Sequence, residues 1–350
     1  MRPDILRLLR CPETGKPLRL EATDERGGRI CAGWLVSKDN QHRYPIRDFI
    51  PRFVPESNYA DNFGLQWNYF SGTQLDSNSG LQISYERFFR TTGWKTENMA
   101  GKWILDAGCG AGRFSEIALK AGANEATEST VSTERFSEVA LKTGANVVAI
   151  DYSDAVEACY KNLGSHPNLH VLQADIYKLP FAPSTFDYVY SLGVLQHTPD
   201  VKAAFMALSK MLKKGGHLAV DVYPQQWKNL LWMKYWLRPF TCGLSAEKNL
   251  RLAKGLVRTL LPFSRALASI PVVGRKLRAI LPVANYEGIY PLTPSQLEEW
   301  AILDTFDMIA PRYDQPQTAK TLRVWFDEVG FERAEVFRDG HLIGRGRRLS

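Results

Sequence analysis

The sequence predicts an α/β protein with a mostly parallel sheet and helices on both faces. Short apolar runs typical of buried strands alternate with helical patterns between residues 101 and 223. A glycine-rich turn joins the first of these strands to a helix. The chain has 350 residues, of which 45% are hydrophobic, so it is long enough for two or three domains with a substantial core.

The glycine-rich turn is the most informative local feature. In KWILDAGCGAG, a strand over 103–105 is followed by Asp106 and by glycines at 108, 110 and 112. Glycine lets the backbone turn tightly and approach a ligand, and the next helix offers free N–H groups to it. The spacing is GxGxG, because Arg113 occupies the place of the third glycine of a dinucleotide-binding loop. This spacing argues against NAD.

The remaining elements follow in βα alternation. Gly215–Gly216 is predicted to end a helix, and Thr293 with Pro294 to begin one. Strands are predicted over 147–151, 170–173, 186–191, 217–222 and 332–337, and helices over 154–163, 201–212 and up to about 330.

One segment occurs twice. Copy one is RFSEIALKAGAN (Arg113–Asn124) and copy two is RFSEVALKTGAN (Arg135–Asn146), identical at ten of twelve positions with an offset of 22 residues. We interpret the pair as a tandem duplication of one helix. Either copy could occupy the helix site. We favour copy one, because it is continuous with the glycine loop, and expect residues 125–146 to be looped out.

The repeat also explains the position of the next acid. In a nucleoside-binding βαβ unit, an acid ends the second strand about 20 residues after the glycines. Asp151 lies 39 residues after Gly112, and removal of one 22-residue copy brings this separation to 17. Asp151 is therefore the predicted ribose-binding residue.

The ordered motifs resemble class I S-adenosylmethionine-dependent methyltransferases. The resemblance covers about residues 60–222 and implies a Rossmann-like sheet, methyltransferase activity and S-adenosyl-L-methionine as cofactor. The motifs are DAGCGAG (106–112), AIDYS (149–153), ADIYKLPF (174–181), FDYVYSLGVLQHTPD (186–200) and LKKGGHLAV (212–220).

The resemblance implies roles for particular residues. Asp106 would orient the loop or the cofactor's amino group, Asp151 would accept the ribose hydroxyls, and Asp175 would accept the adenine amino group. Carboxylates only accept hydrogen bonds, so they suit these donors. Ile176 would pack beside the adenine ring. The implied cofactor-binding set is Asp106, Gly108, Cys109, Gly110, Gly112, Asp151, Tyr152, Asp175, Ile176 and Leu192.

His197, in the loop LQHTPD, is the candidate catalytic residue. It is either a general base near the methyl group or a loop residue that shapes the cofactor wall. Methyl transfer from a sulfonium depends largely on proximity and alignment, so a base is not obligatory.

Residues 1–56 resemble the small zinc-ribbon-like domain that activates some tRNA methyltransferases. The likeness lies in YPIRDFIP (44–51) and in the Cys11–Pro12 turn. A structural zinc needs four ligands, but Thr14 replaces the second cysteine of the first pair, and Cys11, Cys31 and His42 supply three at most. We therefore predict no metal.

The net charge of +7 is concentrated in one segment. Residues 224–281 hold eleven Lys or Arg and one acid, and the rest of the chain is slightly acidic. The segment is also rich in Trp and Leu at helical spacing and is broken by prolines. It suits an anionic membrane surface or a cover over an apolar substrate; an ordinary solvated helical insertion is an equal alternative.

These features predict five regions. They are the zinc-ribbon-like unit (1–56), an aromatic arm that covers the cofactor or packs on the sheet (57–100), the methyltransferase core (101–223), the basic helical insertion (224–290) and the C-terminal part of the methyltransferase domain (291–350).

The leading functional interpretation is methyl transfer to a small-molecule or lipid-linked acceptor in quinone, glycan or secondary-metabolite pathways. The alternatives are an RNA methyltransferase, with nucleic acid the less favoured partner, and a cofactor-binding protein inactivated by the duplication. Five scattered cysteines and a charged N-terminus predict a cytoplasmic protein. The basic segment adds an expected peripheral contact with the inner membrane face. The oligomeric state is not predicted.

Overall fold

The computed structural model describes residues 1–56, 58–121, 144–226, 232–268, 270, 274 and 281–349. It confirms the predicted α/β fold class, with strands close to the predicted positions. The strands are β1 (Leu18–Arg26), β2 (Arg29–Ser37), β3 (Arg43–Arg47), β4 (Ile50–Pro51), β5 (Trp103–Ala107), β6 (Asn146–Asp151), β7 (Leu169–Gln173), β8 (Phe186–Ser191), β9 (Leu212–Val222), β10 (Phe331–Asp339) and β11 (His341–Arg348).

The helices surround the larger sheet and build its insertions. They are α1 (Asp61–Tyr69), α2 (Asp76–Ser79), α3 (Ile83–Thr92), α4 (Arg113–Lys120), α5 (Ala155–Leu163), α6 (Val201–Lys210), α7 (Met233–Thr241), α8 (Ala246–Ala268), α9 (Pro294–Ile309) and α10 (Ala319–Val329).

The larger sheet has the order β10-β11-β9-β8-β5-β6-β7. Strands β5 to β9 are parallel, and β10 and β11 form an antiparallel hairpin on β9. Successive side chains of a strand point to opposite faces. Accordingly, Leu105 belongs to the core cluster on one face and Ile104 to the cluster on the other. The sheet is therefore buried on both sides, as parallel sheets require.

The N-terminal region forms a small antiparallel sheet in the order β1-β2-β3-β4. Its core is continuous with that of the larger sheet, because Ile5, Leu9 and Leu35 belong to the same buried cluster as Phe181. Arg52 adds polar contacts across the junction through its ion pairs with α5.

The helical segments pack together above the larger sheet. Helix α9 is the common support, because α7 and α8 both contact it and α8 also contacts α1. The predicted start of α9 is confirmed by a capping box, in which the Thr293 side chain accepts from the Gln296 backbone and the Gln296 side chain accepts from Thr293. Among the described residues, no helix combines the length and apolar character needed to cross a membrane.

The predicted helix end at Gly215–Gly216 is wrong. Helix α6 ends at Lys210 and the chain enters β9 at Leu212, so both glycines lie within the strand. Gly215 has φ of +74°, and the β8–β9 register shifts between Phe186 and Tyr188. The glycines thus accommodate an irregularity in the pairing, which is the other common use of glycine near a strand.

The repeat is divided between the two copies. Copy one supplies α4 up to Ala121, and the described chain resumes at Gly144 of copy two. The Ala145 N–H donates to the Ala121 carbonyl at 3.3 Å, so the two ends are adjacent. Ala121 and Thr143 are equivalent positions of the repeat. The described residues therefore compose one complete helix-to-strand unit. The expectation that residues 125–146 are looped out is wrong for 144–146, because Asn146 begins β6 and pairs with Trp103. Residues 122–143 lie outside the described residues.

We expect that deletion of residues 122–143 leaves the fold intact, because it joins Ala121 to Gly144 in register. The melting temperature, measured by circular dichroism, should change by no more than a few degrees, since surface insertions add little loop-closure cost. A deletion of the same length that ends one residue earlier, 121–142, is the control, because it replaces the buried Ala121 by Thr143. Insoluble protein from the first deletion alone would contradict the interpretation of a duplication.

Candidate active site

A cavity of about 780 Å³ opens at the carboxyl ends of the parallel strands β5, β6 and β8. In open α/β sheets, ligands bind at this edge. The glycine loop and β6 form one part of the wall. The other part comes from α1, α3, α9 and the segment before α9, including Trp67, Arg87, Tyr290 and Asp304.

The glycine loop is held closely against its surroundings. Gly110 has φ of +53°, and a Cβ there would lie 3.0 Å from Cε2 of Trp67. Gly108 has φ of +87°, and its Cβ would lie 2.4 Å from Cγ2 of Val194. Both positions require glycine for backbone and steric reasons. Trp67 and Val194 thus occupy the space beside these two glycines, and a ligand would meet the loop at the part of its backbone that lines the cavity.

Asp151 at the end of β6 fixes this loop. Its Oδ2 accepts from the Gly110 N–H at 3.1 Å, and its Oδ1 accepts from the Ser153 N–H at 2.9 Å and from the Ser153 hydroxyl at 2.7 Å. Burial raises the pKa of Asp151, and these hydrogen bonds oppose the shift. The carboxylate lines the cavity, where it can also accept from ribose hydroxyls.

Asp106 is placed differently. It is 2% exposed, accepts from the Ser115 hydroxyl at 2.7 Å and is not among the cavity-lining residues. Burial raises its pKa to about 7. The hydrogen bond joins β5 to α4, the two elements on either side of the glycine loop. This position agrees with the prediction that Asp106 orients the loop.

Most of the predicted site residues lie together. The structure brings eight of them to the cavity wall: Gly108, Cys109, Gly110, Asp151, Tyr152, Ile176, Leu192 and His197. Gly112 precedes α4 beside Leu163, and Asp175 accepts from the Tyr177 N–H at 2.8 Å. Asp106, Gly112 and Asp175 are not part of the wall, although both neighbours of Asp175 are. Their roles in cofactor binding stay predictions.

His197 lies in a short 3-10 turn after β8. Its Nδ1 is 2.9 Å from the carbonyl oxygen of Tyr313, so in the neutral ring Nδ1 carries the proton and donates it. Nε2 is buried and has no hydrogen-bond partner among the described residues. The rings of Phe63 and Tyr223 pack against the imidazole. The lone pair of Nε2 is therefore unused by any described residue, and His197 is one of the residues that line the cavity.

Several cavity residues were not predicted from the sequence. Gln66 is 1% exposed, and neither polar atom of its amide has a partner among the described residues. Arg113 is 9% exposed. Burial raises the pKa of Asp304 to about 6. In the local sequence, only Gln66 and Arg113 stand out, as polar residues beside apolar ones in a helical pattern. The place of Asp304 in the wall depends on long-range packing.

The cysteines and histidine considered for zinc are not clustered. No group of three or more His, Cys, Asp or Glu side chains in the described part of the chain could hold a metal ion. Cys11 is buried with its Sγ 3.3 Å from the Tyr44 hydroxyl. Apolar packing and this polar contact account for the environment of Cys11.

Several known proteins that resemble this chain are methyltransferases. Residues 128–220 match a family model described as a methyltransferase domain. The O-methyltransferase resE of Aspergillus sclerotiorum is 27% identical over 144 residues, which cover 41% of this chain and 48% of that protein. The ubiquinone biosynthesis O-methyltransferase of Vibrio atlanticus is 29% identical over 137 residues, covering 39% and 50%. The chain thus spans about half the length of these relatives.

Among solved structures, the magnesium protoporphyrin IX methyltransferase of Synechocystis PCC 6803 with bound S-adenosylhomocysteine is 15% identical, with a TM-score of 0.41. The alignment covers 83% of this chain and 96% of that one.

The sheet order, the glycine loop and the match of residues 128–220 to a methyltransferase-domain model together support a methyltransferase domain that uses S-adenosylmethionine. The residues present fit this cofactor. The backbone of the glycine loop can approach a bound cofactor closely, because its glycines have no Cβ. Asp151 lines the same cavity. The matched residues begin after the glycine loop and include copy two of the repeat. This start is consistent with copy two being the one that continues without interruption into β6.

We expect that Asp151→Asn weakens binding of S-adenosylhomocysteine by about tenfold or more, because the charge that accepts hydrogen bonds from the loop and ribose is lost. Isothermal titration calorimetry measures the dissociation constant. Asp154→Asn, which changes a half-exposed carboxylate paired with Arg52, is the matched control and should retain the wild-type affinity. Equal weakening by both substitutions would contradict the role of Asp151.

Proposed function

We propose that this protein transfers a methyl group from S-adenosylmethionine to a hydroxyl of a small or lipid-linked acceptor. The observation that carries the proposal is the free Nε2 of His197 in the wall of the same cavity as the glycine loop and Asp151. The similarity to enzymes named O-methyltransferases supports oxygen as the methylated atom.

The chain's own residues would carry the reaction as follows. When bound, S-adenosylmethionine supplies a methyl group on a positively charged sulfur. His197 Nε2 would accept the proton of the acceptor hydroxyl as that oxygen takes the methyl group, and the sulfonium would leave as a neutral thioether. The Tyr313 carbonyl accepts a hydrogen bond from Nδ1 and stabilises the resulting imidazolium.

Aromatic side chains around His197 support an apolar acceptor. Phe63 and Tyr223 contact the imidazole, and Trp232 and Tyr235 of the basic insertion line the same cavity. Such a wall excludes water from the reacting atoms and favours an acceptor with an aromatic or aliphatic body.

The outer side of the insertion supports a lipid-linked acceptor at a membrane surface. Phe240 of α7 is 78% exposed and Phe263 of α8 is 65% exposed. Lys248, Arg251 and Arg258 are exposed on α8. Exposed aromatic side chains near basic ones favour an anionic bilayer interface. The segment that carries them also lines the cavity, so an acceptor held at the bilayer would be close to the site.

We expect that His197→Ala lowers kcat/KM for methyl transfer by about 100-fold or more, because general-base catalysis contributes on that order. Transfer of the radiolabelled methyl group to a panel of phenols and to extracted lipids provides the assay. The affinity for S-adenosylhomocysteine should stay within a factor of about two of the wild-type value, since no role in cofactor binding is assigned to this imidazole.

The matched control for His197→Ala is His42→Ala. His42 follows β2 in the N-terminal sheet and is not part of the cavity wall. Unchanged methyl transfer by the His197 variant, or a loss of cofactor affinity equal to its loss of activity, would contradict the assignment of a base.

We expect the protein to sediment with phosphatidylglycerol vesicles at low salt and to be released at high salt, because screening weakens the attraction of basic residues. Phosphatidylcholine vesicles should bind it less. Substitution of Lys248, Arg251 and Arg258 by Glu should abolish sedimentation. The matched control, with Glu at the exposed Lys16, Lys38 and Lys95, has the same net charge and should still bind. Equal binding of both variants would exclude this surface.

A further inference from the structure

Arg113 occupies an unusual position in the cavity wall. It is the first residue of α4, directly after the glycine loop, and it is 9% exposed. Its Nε donates to the Ser84 hydroxyl oxygen at 2.8 Å, and its Nη1 donates to Oε1 of Gln74 at 2.8 Å. Both partners are neutral. They fix the orientation of the guanidinium without forming an ion pair with it, and its remaining N–H groups have no partner among the described residues.

From this geometry we propose that Arg113 is the centre of a carboxylate-binding subsite, in which Gln74 and Ser84 position the guanidinium. The ligand carboxylate is either that of the amino-acid part of S-adenosylmethionine or one carried by the acceptor. The choice of ligands rests on the proposed function, whereas the subsite rests on the buried, unpaired guanidinium.

The electrostatic surroundings support this assignment. Within the described ranges, no carboxylate lies at ion-pair distance from Arg113, in contrast to Arg87, whose Nη2 is 2.8 Å from Oδ2 of Asp221. A buried cation without a partner is costly, and such groups concentrate at functional sites. Burial lowers the pKa of Arg113 to about 10, so the side chain stays charged at neutral pH.

The two carboxylates that act electrostatically on Arg113, Asp76 and Asp304, already have hydrogen-bond partners. Asp76 accepts the backbone N–H groups of Ser84 and Tyr85. Asp304 accepts the hydroxyl of Tyr286. Neither forms an ion pair with Arg113 among the described residues, so the guanidinium remains available to a ligand.

The shape and charge of the wall favour a carboxylate over a phosphate. The guanidinium lies over the Phe114 ring, with its Cζ 5.0 Å from the centroid, and 5.8 Å from that of Trp300. Aromatic neighbours leave the edge of the guanidinium free, and this edge matches a planar, singly charged carboxylate in two parallel hydrogen bonds. Asp304 and Asp307 line the same cavity and would repel a doubly charged phosphate.

Calorimetry on the full-length protein tests the subsite with two pairs of probes. The first pair is S-adenosylhomocysteine and 5′-methylthioadenosine, which share the nucleoside thioether but differ in the amino-acid carboxylate. The second pair is benzoate and benzyl alcohol, each titrated in the presence of saturating S-adenosylhomocysteine, whose own carboxylate would fill a cofactor subsite. Arg113→Gln should weaken binding of at least one carboxylate probe by about tenfold or more and leave its carboxylate-free partner unchanged.

Two further variants separate this role from a structural one. Arg113→Lys keeps the charge but not the planar pair of donors, so it should have an intermediate effect. Gln74→Glu places a carboxylate on the guanidinium and should weaken carboxylate binding with Arg113 still present. Arg135→Gln, at the equivalent position of copy two, is the matched control and should bind as the wild type does.

The outcomes assign the source of the carboxylate. A selective loss with S-adenosylhomocysteine indicates the cofactor, and a selective loss with benzoate indicates the acceptor. Equal losses within each pair, or no loss in either, overturn the subsite. If the wild type binds neither nucleoside, the proposed function fails, and benzoate and benzyl alcohol titrated alone then decide the subsite.

Discussion

The attachment of the glycine loop to the end of β6 is the constraint on which the site depends. The Gly108 and Cys109 N–H groups both donate to the Ile150 carbonyl, and the Gly110 N–H donates to Asp151. These bonds bring the carboxyl ends of β5 and β6 together at one fixed separation. The direction of α4, and with it the position of Arg113, follows from this arrangement, because the helix begins where the loop ends.

This constraint explains how the chain accommodates its repeat. Copy one follows the glycine loop directly. If copy two formed this helix instead, a residue other than Gly112 would precede it. A Cβ at that position would lie 2.7 Å from Cδ1 of Leu163. The chain instead passes from copy one to copy two at Ala121 and Gly144, beyond the helix. At that place the Ala145 N–H donates to the Ala121 carbonyl, which joins the end of the helix to the start of β6.

The parts of the structure that could be predicted are those with local causes. Strand periodicity, the glycine loop, the capping box of α9 and the role of Asp151 as the strand-end acid all follow from residues close in sequence. The helix end at Gly215–Gly216 was predicted wrongly, because glycine also serves strand irregularities and only the pairing with β8 distinguishes the two uses. Local sequence contains no information on that pairing.

The cavity wall opposite the sheet has long-range causes. The Trp300 indole N–H donates to the Thr73 carbonyl, 227 residues away in the chain, and the Arg238 guanidinium donates to the Pro311 carbonyl. Such contacts place Gln66 and Asp304 around one cavity, although no motif connects them. Sequence patterns predicted the cofactor half of the site because its residues follow successive strands.

The basic insertion shows how composition and structure differ. Not all of its basic side chains face solvent, because Lys234 and Arg238 turn inward, with Lys234 Nζ 3.3 Å from Oδ2 of the buried Asp314. Arg265 pairs with Glu287. Part of the excess charge therefore holds the insertion against the chain that follows α9, and among the described residues the exposed basic side chains of the insertion lie on α8. The cavity therefore has one wall built by the sheet and its loops and an opposite wall built by the insertion and the aromatic arm, and the two walls meet where Trp67 packs on Gly110.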